Sequence, residues 1–155
     1  MKYRQLTKEQ LESLHKEFAL FLASQKIDVN EWNRIKKDKP NVAEEELNIF
    51  SDIVWEDVLT KTNYVEHFSE TTVNLFKFDK DEIHRIVIKI DWDINLLTQE
   101  GFEWLMNNPM DNSIDIFKGA KPYDKERNID IFDLIEKGSS ISKGEIFEFF
   151  HNLIV

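Results

Sequence analysis

The chain has 155 residues, no cysteine and a formal charge of −10, with 41% hydrophobic and 32% charged residues. A chain this long buries roughly 70% of its unfolded surface, so a hydrophobic core suffices to fold it, and its apolar content is too high for a disordered chain. The absence of cysteine excludes disulfides, thiolate nucleophiles and Cys-ligated zinc.

The charge is uneven. Residues 1–40 hold nine Lys/Arg and six Asp/Glu, whereas residues 41–155 hold eleven and twenty-four. An acidic surface of this kind repels nucleic acid and anionic lipid over most of its area. The longest apolar run, Phe18 to Ala23, is six residues, against the ~20 needed to span a bilayer. Glu9, Glu12 and Glu17 interrupt the N-terminal apolar residues, which is wrong for a signal peptide. Four glycines and three prolines are scattered without a linker tract or repeat. The expectation is one globular domain over 1–155, cytoplasmic, with no membrane association.

In chain order, Thr7 and Gln10 form a capping box, and Leu11, Leu14, Phe18, Phe21 and Leu22 follow helical spacing. The spacing predicts a helix over roughly 8–25. A shorter helix follows Asn30, carries Trp32 and Ile35, and stops before Pro40, because proline disfavours helix at the preceding residue. A long helix is predicted over 41–63. Its early glutamates suit the positive end of the helix dipole, and Leu47, Phe50, Val54 and Val58 form a stripe that Trp55 and Leu59 widen.

The period then becomes alternating. Residues 72–78 and 83–90, rich in β-branched and aromatic residues, flank the polar Asp79–Glu82, which signals a β-hairpin. A short third strand is predicted at 113–117. Thr98 caps a helix that Pro109 ends, Asn128 opens a helix that Gly138 closes, and Ser142 with Glu145 opens a last helix. The predicted class is α+β: N-terminal helices, a small antiparallel sheet built on the hairpin, and C-terminal helices packed on it.

The stretch DEIHRIVIKIDWD at 81–93 most resembles chemistry. Alternation along a strand puts His84, Ile86, Ile88, Ile90 and Trp92 on one face and Arg85, Val87, Lys89, Asp91 and Asp93 on the other. His84 and Asp91 would lie about 23 Å apart on opposite faces, so they cannot share one metal or one proton. His84 reads as a half-buried histidine at a sheet edge. Asp91 and Asp93 are the candidate metal ligands, with Glu66 or His67 as further ones, since an Asp-x-Asp needs further carboxylates to hold an ion.

Elsewhere, Glu66, His67 and Glu70 stand close in a predicted connection and could exchange protons, although such pairs are commonly just solvated. No pair of histidines has zinc-binding spacing, and no phosphate loop or nucleophile elbow is present. Arg34, Lys36, Lys37 and Lys39 follow Trp32 as the one basic cluster, readable as a nucleic-acid contact or as a solvated helix end. The C-terminal FEFFHNLIV is apolar over more than one helical face. Either that helix packs into the core on most sides, or Phe147, Phe150, Leu153 and Ile154 meet another chain.

The segments KYRQLTKEQLESLHKEFALFLASQKID, VAEEELNIFSDIVWEDVLTKTNYVEHFS, DEIHRIVIKI and SKGEIFEFF resemble a family of small acidic Bacteroidetes proteins classed only as a domain of unknown function. The resemblance covers nearly the whole chain and is most specific from Trp55 to Ser69. It implies a bacterial cytoplasmic housekeeping or regulatory protein and carries no activity, cofactor or site residue with it. The functional expectation is a non-catalytic interaction module that needs no cofactor and binds another protein, with homo-oligomerisation left open. Two alternatives stand beside it: a divalent-metal enzyme with a carboxylate site, and an acidic mimic of nucleic acid that sequesters a basic protein.

Overall fold

A computed structural model describes residues 1–154. Its residues form two compact units, one from Met1 to Val58 and one from Leu59 onward.

The first unit is helical: α1 (Lys8–Ser13), α2 (His15–Ser24), α3 (Val29–Asp38) and most of α4 (Pro40–Lys61), which ends in the second unit. The predicted helix over 8–25 is therefore broken at Leu14, whose backbone leaves the helical region at ψ 22. Ser13 donates its hydroxyl to the Gln10 carbonyl at 2.9 Å, and the His15 ring meets the Glu12 carbonyl at 2.9 Å. Side chains that take ladder carbonyls bend or interrupt a helix. The cap of α3 is Asp28, which accepts from the Glu31 amide at 2.7 Å, two residues earlier than Asn30 suggested. Pro40 occupies the first turn of α4, where its missing N–H costs nothing.

Aromatic residues of α2, α3 and α4 meet one another. Phe18 lies 5.0 Å from Phe50 and 5.2 Å from Trp32, centroid to centroid. An extended N-terminal segment lies along α4, with the Lys2 and Tyr3 amides donating to the Asp52 carboxylate at 2.7 and 2.9 Å. The buried Ser51 hydroxyl accepts from the Leu6 amide at 3.0 Å. The Tyr3 hydroxyl donates to Glu56, and burial together with that carboxylate pushes its pKa up to about 12.

The second unit holds a five-stranded antiparallel sheet: β1 (Tyr64–Phe68), β2 (Thr72–Phe78), β3 (Glu82–Ile90), β4 (Ile114–Pro122) and β5 (Ser140–Ser142), ordered β4-β3-β2-β1-β5. With α5 (Gln99–Asn107), α6 (Arg127–Glu136) and α7 (Glu145–Ile154), this is the expected α+β arrangement of helices around a sheet. The hairpin is present with the predicted strands. The strand at 113–117 continues to Pro122, and β1 and β5 were not anticipated. Thr98 caps α5 as read, accepting from the Gly101 amide at 3.0 Å. Asn128 lies inside α6 rather than before it, and its neighbour Arg127 donates to the carbonyls of Leu59 and Thr62 at 3.0 and 2.6 Å. Gly138 closes that helix with φ 108.

One sheet face supplies Val73, Leu75, Ile86, Ile88 and Ile90 to a core completed by Leu96, Leu105, Phe147 and Phe150. Alternation places these strand residues together, and α7 packs on β2 and β3. The opposite face carries Val65, Phe78 and Ile83, all buried, with α6 packed against β1.

Candidate functional site: two grooves beside an edge strand

β4 lies at one end of the sheet and is bonded to β3 alone. Its residues change character along its length. Ile114 and Ile116 are half buried, whereas Phe117 to Pro122 are exposed, Phe117 at 53%. The register sets Gly119 opposite Arg85 and Ala120 opposite His84. Two small residues thus stand beside two long ones, one on each face, and each face has a hollow.

On the α6 side, a groove of about 600 Å³ is lined by Phe76, Ile83, Arg85, Val87, Phe117 and Gly119 from the strands and by Asp133, Leu134 and Lys137 from the helix side. That volume falls within the roughly 300–1,000 Å³ typical of small-ligand sites. Arg85 stands 5.5 Å over the Phe76 ring and donates to the Asn74 side chain at 2.6 Å. On the α7 side, a groove of about 350 Å³ includes Lys77, Asp79, His84, Ala120, Phe147 and His151. Here His84 Nε2 lies 2.6 Å from Asp79 Oδ2. Lys77 donates to Glu148 at 2.9 Å, and Tyr64 donates to the same carboxylate oxygen at 2.8 Å. Lys77 first, and then Tyr64, hold the Glu148 carboxyl below its ordinary range.

Several expected constellations separate. His84 finds its carboxylate in Asp79, because the hairpin turn folds that residue back toward it. Asp91 and Asp93 are exposed, beyond the end of β3, and among the described residues no group of three or more His, Asp or Glu is placed to hold a metal ion. Glu66 and His67 are neighbours in β1 and so point to opposite faces. Burial raises the Glu66 pKa against a hydrogen bond from Ser142. In the basic cluster, Arg34 pairs with Glu31 at 3.4 Å and Lys36 sits 5.9 Å over Trp32.

The C-terminal helix resolves into two faces. Phe147 and Phe150 are 4% and 0% exposed and belong to the core, so as surface contacts for a partner they are corrected. Helical spacing turns both toward the sheet. Leu153 stays 38% exposed, Ile154 is half buried, and Phe149 is 37% exposed. Val155 lies outside the described residues. Arg85, Asp79, Gly119 and Lys137 were not singled out from the sequence, since only strand register and the packing of α6 bring them to the grooves.

No described helix is long and apolar enough to cross a membrane. No curated protein and no solved structure matches the chain. A family model described as a family of unknown function, DUF6495, matches residues 1–155, and the chain therefore belongs to that family.

Proposed function

We propose that this protein is a non-catalytic, cytoplasmic interaction module of a bacterial cell, and that it receives an extended segment of another protein along the free edge of β4. The observation that supports this most is the edge itself: nine residues, Ile114–Pro122, bonded to β3 on one side only. An edge strand presents a row of outward N–H and C=O groups. Strand addition uses that row for affinity and the alternating side chains for specificity. Lys118 and Lys121 lie on this edge. Lysine there disfavours pairing with a second copy of the same strand and favours a segment that carries carboxylates.

The test is a titration of ¹⁵N-labelled protein with a seven-residue peptide of alternating Glu and Val. A control peptide has N-methylated amides at alternate positions. The expected result is a set of saturable shifts on the β4 amides with the first peptide only, weakened in Lys118→Glu and Lys121→Glu. Shifts that avoid β4, or that appear equally with the control, would overturn the reading.

A further inference from the structure

Glycine inside a strand weakens it, because it loses the most backbone freedom on folding and packs nothing. Gly119 is in mid-β4 and does not have the positive φ that requires glycine. A methyl group built on it meets nothing within 4 Å. Neither backbone conformation nor packing asks for glycine at this position. What its missing side chain leaves is open floor in the α6-side groove.

The register defines the surroundings. Phe76, Arg85 and Gly119 form one row across the sheet, flanked on that face by Val87 and Phe117 on one side and by Ile83 and Lys121 on the other. Leu134 adds an apolar wall from α6. The floor is thus largely apolar and aromatic, in a groove of about 600 Å³.

The charges bordering this floor are unequal in what they have left to offer. Asp124 is held by Lys121 at 3.0 Å, and Asp133 by Lys125 at 3.0 Å. Asp130 accepts the backbone amides of Asp124 and Lys125 at 2.7 and 3.2 Å. All three carboxylates already have donors. Arg85 and Lys137 enter no ion pair among the described residues, and the one hydrogen bond from Arg85 goes to neutral Asn74. Lys118, also in the lining, has no ion pair among the described residues either, while the partners of Asp130 are neutral amides, so the groove joins an apolar floor to three cations without an ion pair against one such carboxylate. We infer that it binds a small planar aromatic carboxylate, with the ring over Gly119 and the carboxylate between Arg85 and Lys137. This concerns the face of the sheet and does not depend on strand addition at its edge.

The probe is 2-naphthoate, followed by amide shifts and by calorimetry, with neutral 2-naphthylmethanol as comparison. Saturable shifts are expected along β3, β4 and α6, with the alcohol at least about tenfold weaker. Arg85→Gln should weaken naphthoate about tenfold, the loss that 1.4 kcal/mol represents and the low end of what a hydrogen bond to a charged group contributes. Gly119→Leu should abolish binding while leaving Tm equal to or above that of the unaltered protein; Gly119→Ala, a smaller change, should weaken binding with Tm likewise maintained. Absence of saturation by several millimolar naphthoate would overturn the proposal. So would binding indifferent to the Gly119 variants, equal affinity for the alcohol, or a Tm lowered by Gly119→Ala, since the last would show that packing does require the glycine.

Discussion

Replacing Gly101 by alanine tests whether local preference or tertiary contact governs the start of α5. Gly101 is the third residue of that helix, and helix propensity favours Gly→Ala by about 1 kcal/mol. The surroundings oppose it. A methyl group on Gly101 would lie 2.6 Å from the Asn95 carbonyl carbon and closer still to its oxygen, where carbon atoms normally rest at about 3.5–4.0 Å. The obstacle is backbone, and it is already committed. The Asn95 carbonyl accepts from the Thr98 amide at 3.1 Å and the Thr98 hydroxyl at 2.7 Å, and that hydroxyl oxygen caps the helix by accepting from Gly101 N–H at 3.0 Å.

Relieving the overlap moves the turn and loosens all three bonds. Overpacking costs about 1–3 kcal/mol, a lost cap about 1, and propensity returns about 1. The net is a destabilisation of about 1–3 kcal/mol, or a Tm lower by roughly 2–12 °C for a chain of this size. Calorimetry gives the Tm, and hydrogen exchange shows whether the first-turn amides of α5 lose protection. A Tm unchanged or raised by Gly101→Ala, with those amides still protected, would refute the argument.

Two further outcomes separate core from surface and fix a pH window. Phe150→Ala, at a fully buried site, should cost about 3–5 kcal/mol in urea unfolding, while Leu153→Ala on the same helix should stay within about 1 kcal/mol; similar costs for the two would contradict the assigned faces. In the Lys77–Glu148–Tyr64 cluster, Glu148 is lowered from 4.5, chiefly by Lys77, so its contribution is present above 4.5 and fades as pH falls through the lower folded value. Lys77 is raised from 10.5, chiefly by Glu148, and Tyr64 from 10.0, chiefly by burial, so their contributions are present below those values and fade as pH climbs through the higher folded ones. With the pair 35% and 37% exposed, the effect is at most about 1 kcal/mol. Glu148→Gln should flatten both flanks of the Tm–pH curve, and parallel curves for the two proteins would remove the cluster from the account.

Much of the fold was legible wherever one pattern ran long enough to declare its period. β2 and β3 alternate over seven and nine residues, and the Thr98 cap marked the start of α5. β1 was not legible, because Glu66 and His67 dilute its five residues and its place comes from the bonds of β2 and β5 on either side. β5, with three residues, is shorter than any period can show. The break at Leu14 depends on where two neighbouring side chains turn, which spacing does not encode. α7 was ambiguous for a different reason: it is apolar on more than one face, so the pattern did not say which face the sheet would take. The grooves were the least legible feature. Gly119 is one unremarkable glycine in the sequence, and it acquires meaning only when the register sets it beside Arg85 and nothing fills the space above it.

The charge also changes its meaning once the strands are placed. From Leu59 onward the chain carries eighteen Asp/Glu against eleven Lys/Arg, yet β2, β3 and β4 together carry five cations and only two carboxylates. The acidic excess of this unit lies in its turns and helices, which bring Asp79, Asp124, Asp130 and Asp133 to the rims of the grooves, while the strands beneath carry mostly cations. Net charge describes the far field, which salt screens beyond about 8 Å at physiological ionic strength. A ligand seated on the sheet is closer than that to Arg85 or Lys118, so the near charges govern what it meets. The total of −10 argues against anionic partners over most of this surface, and for that reason a face whose strands carry five cations against two carboxylates is where an anion would be selectively held.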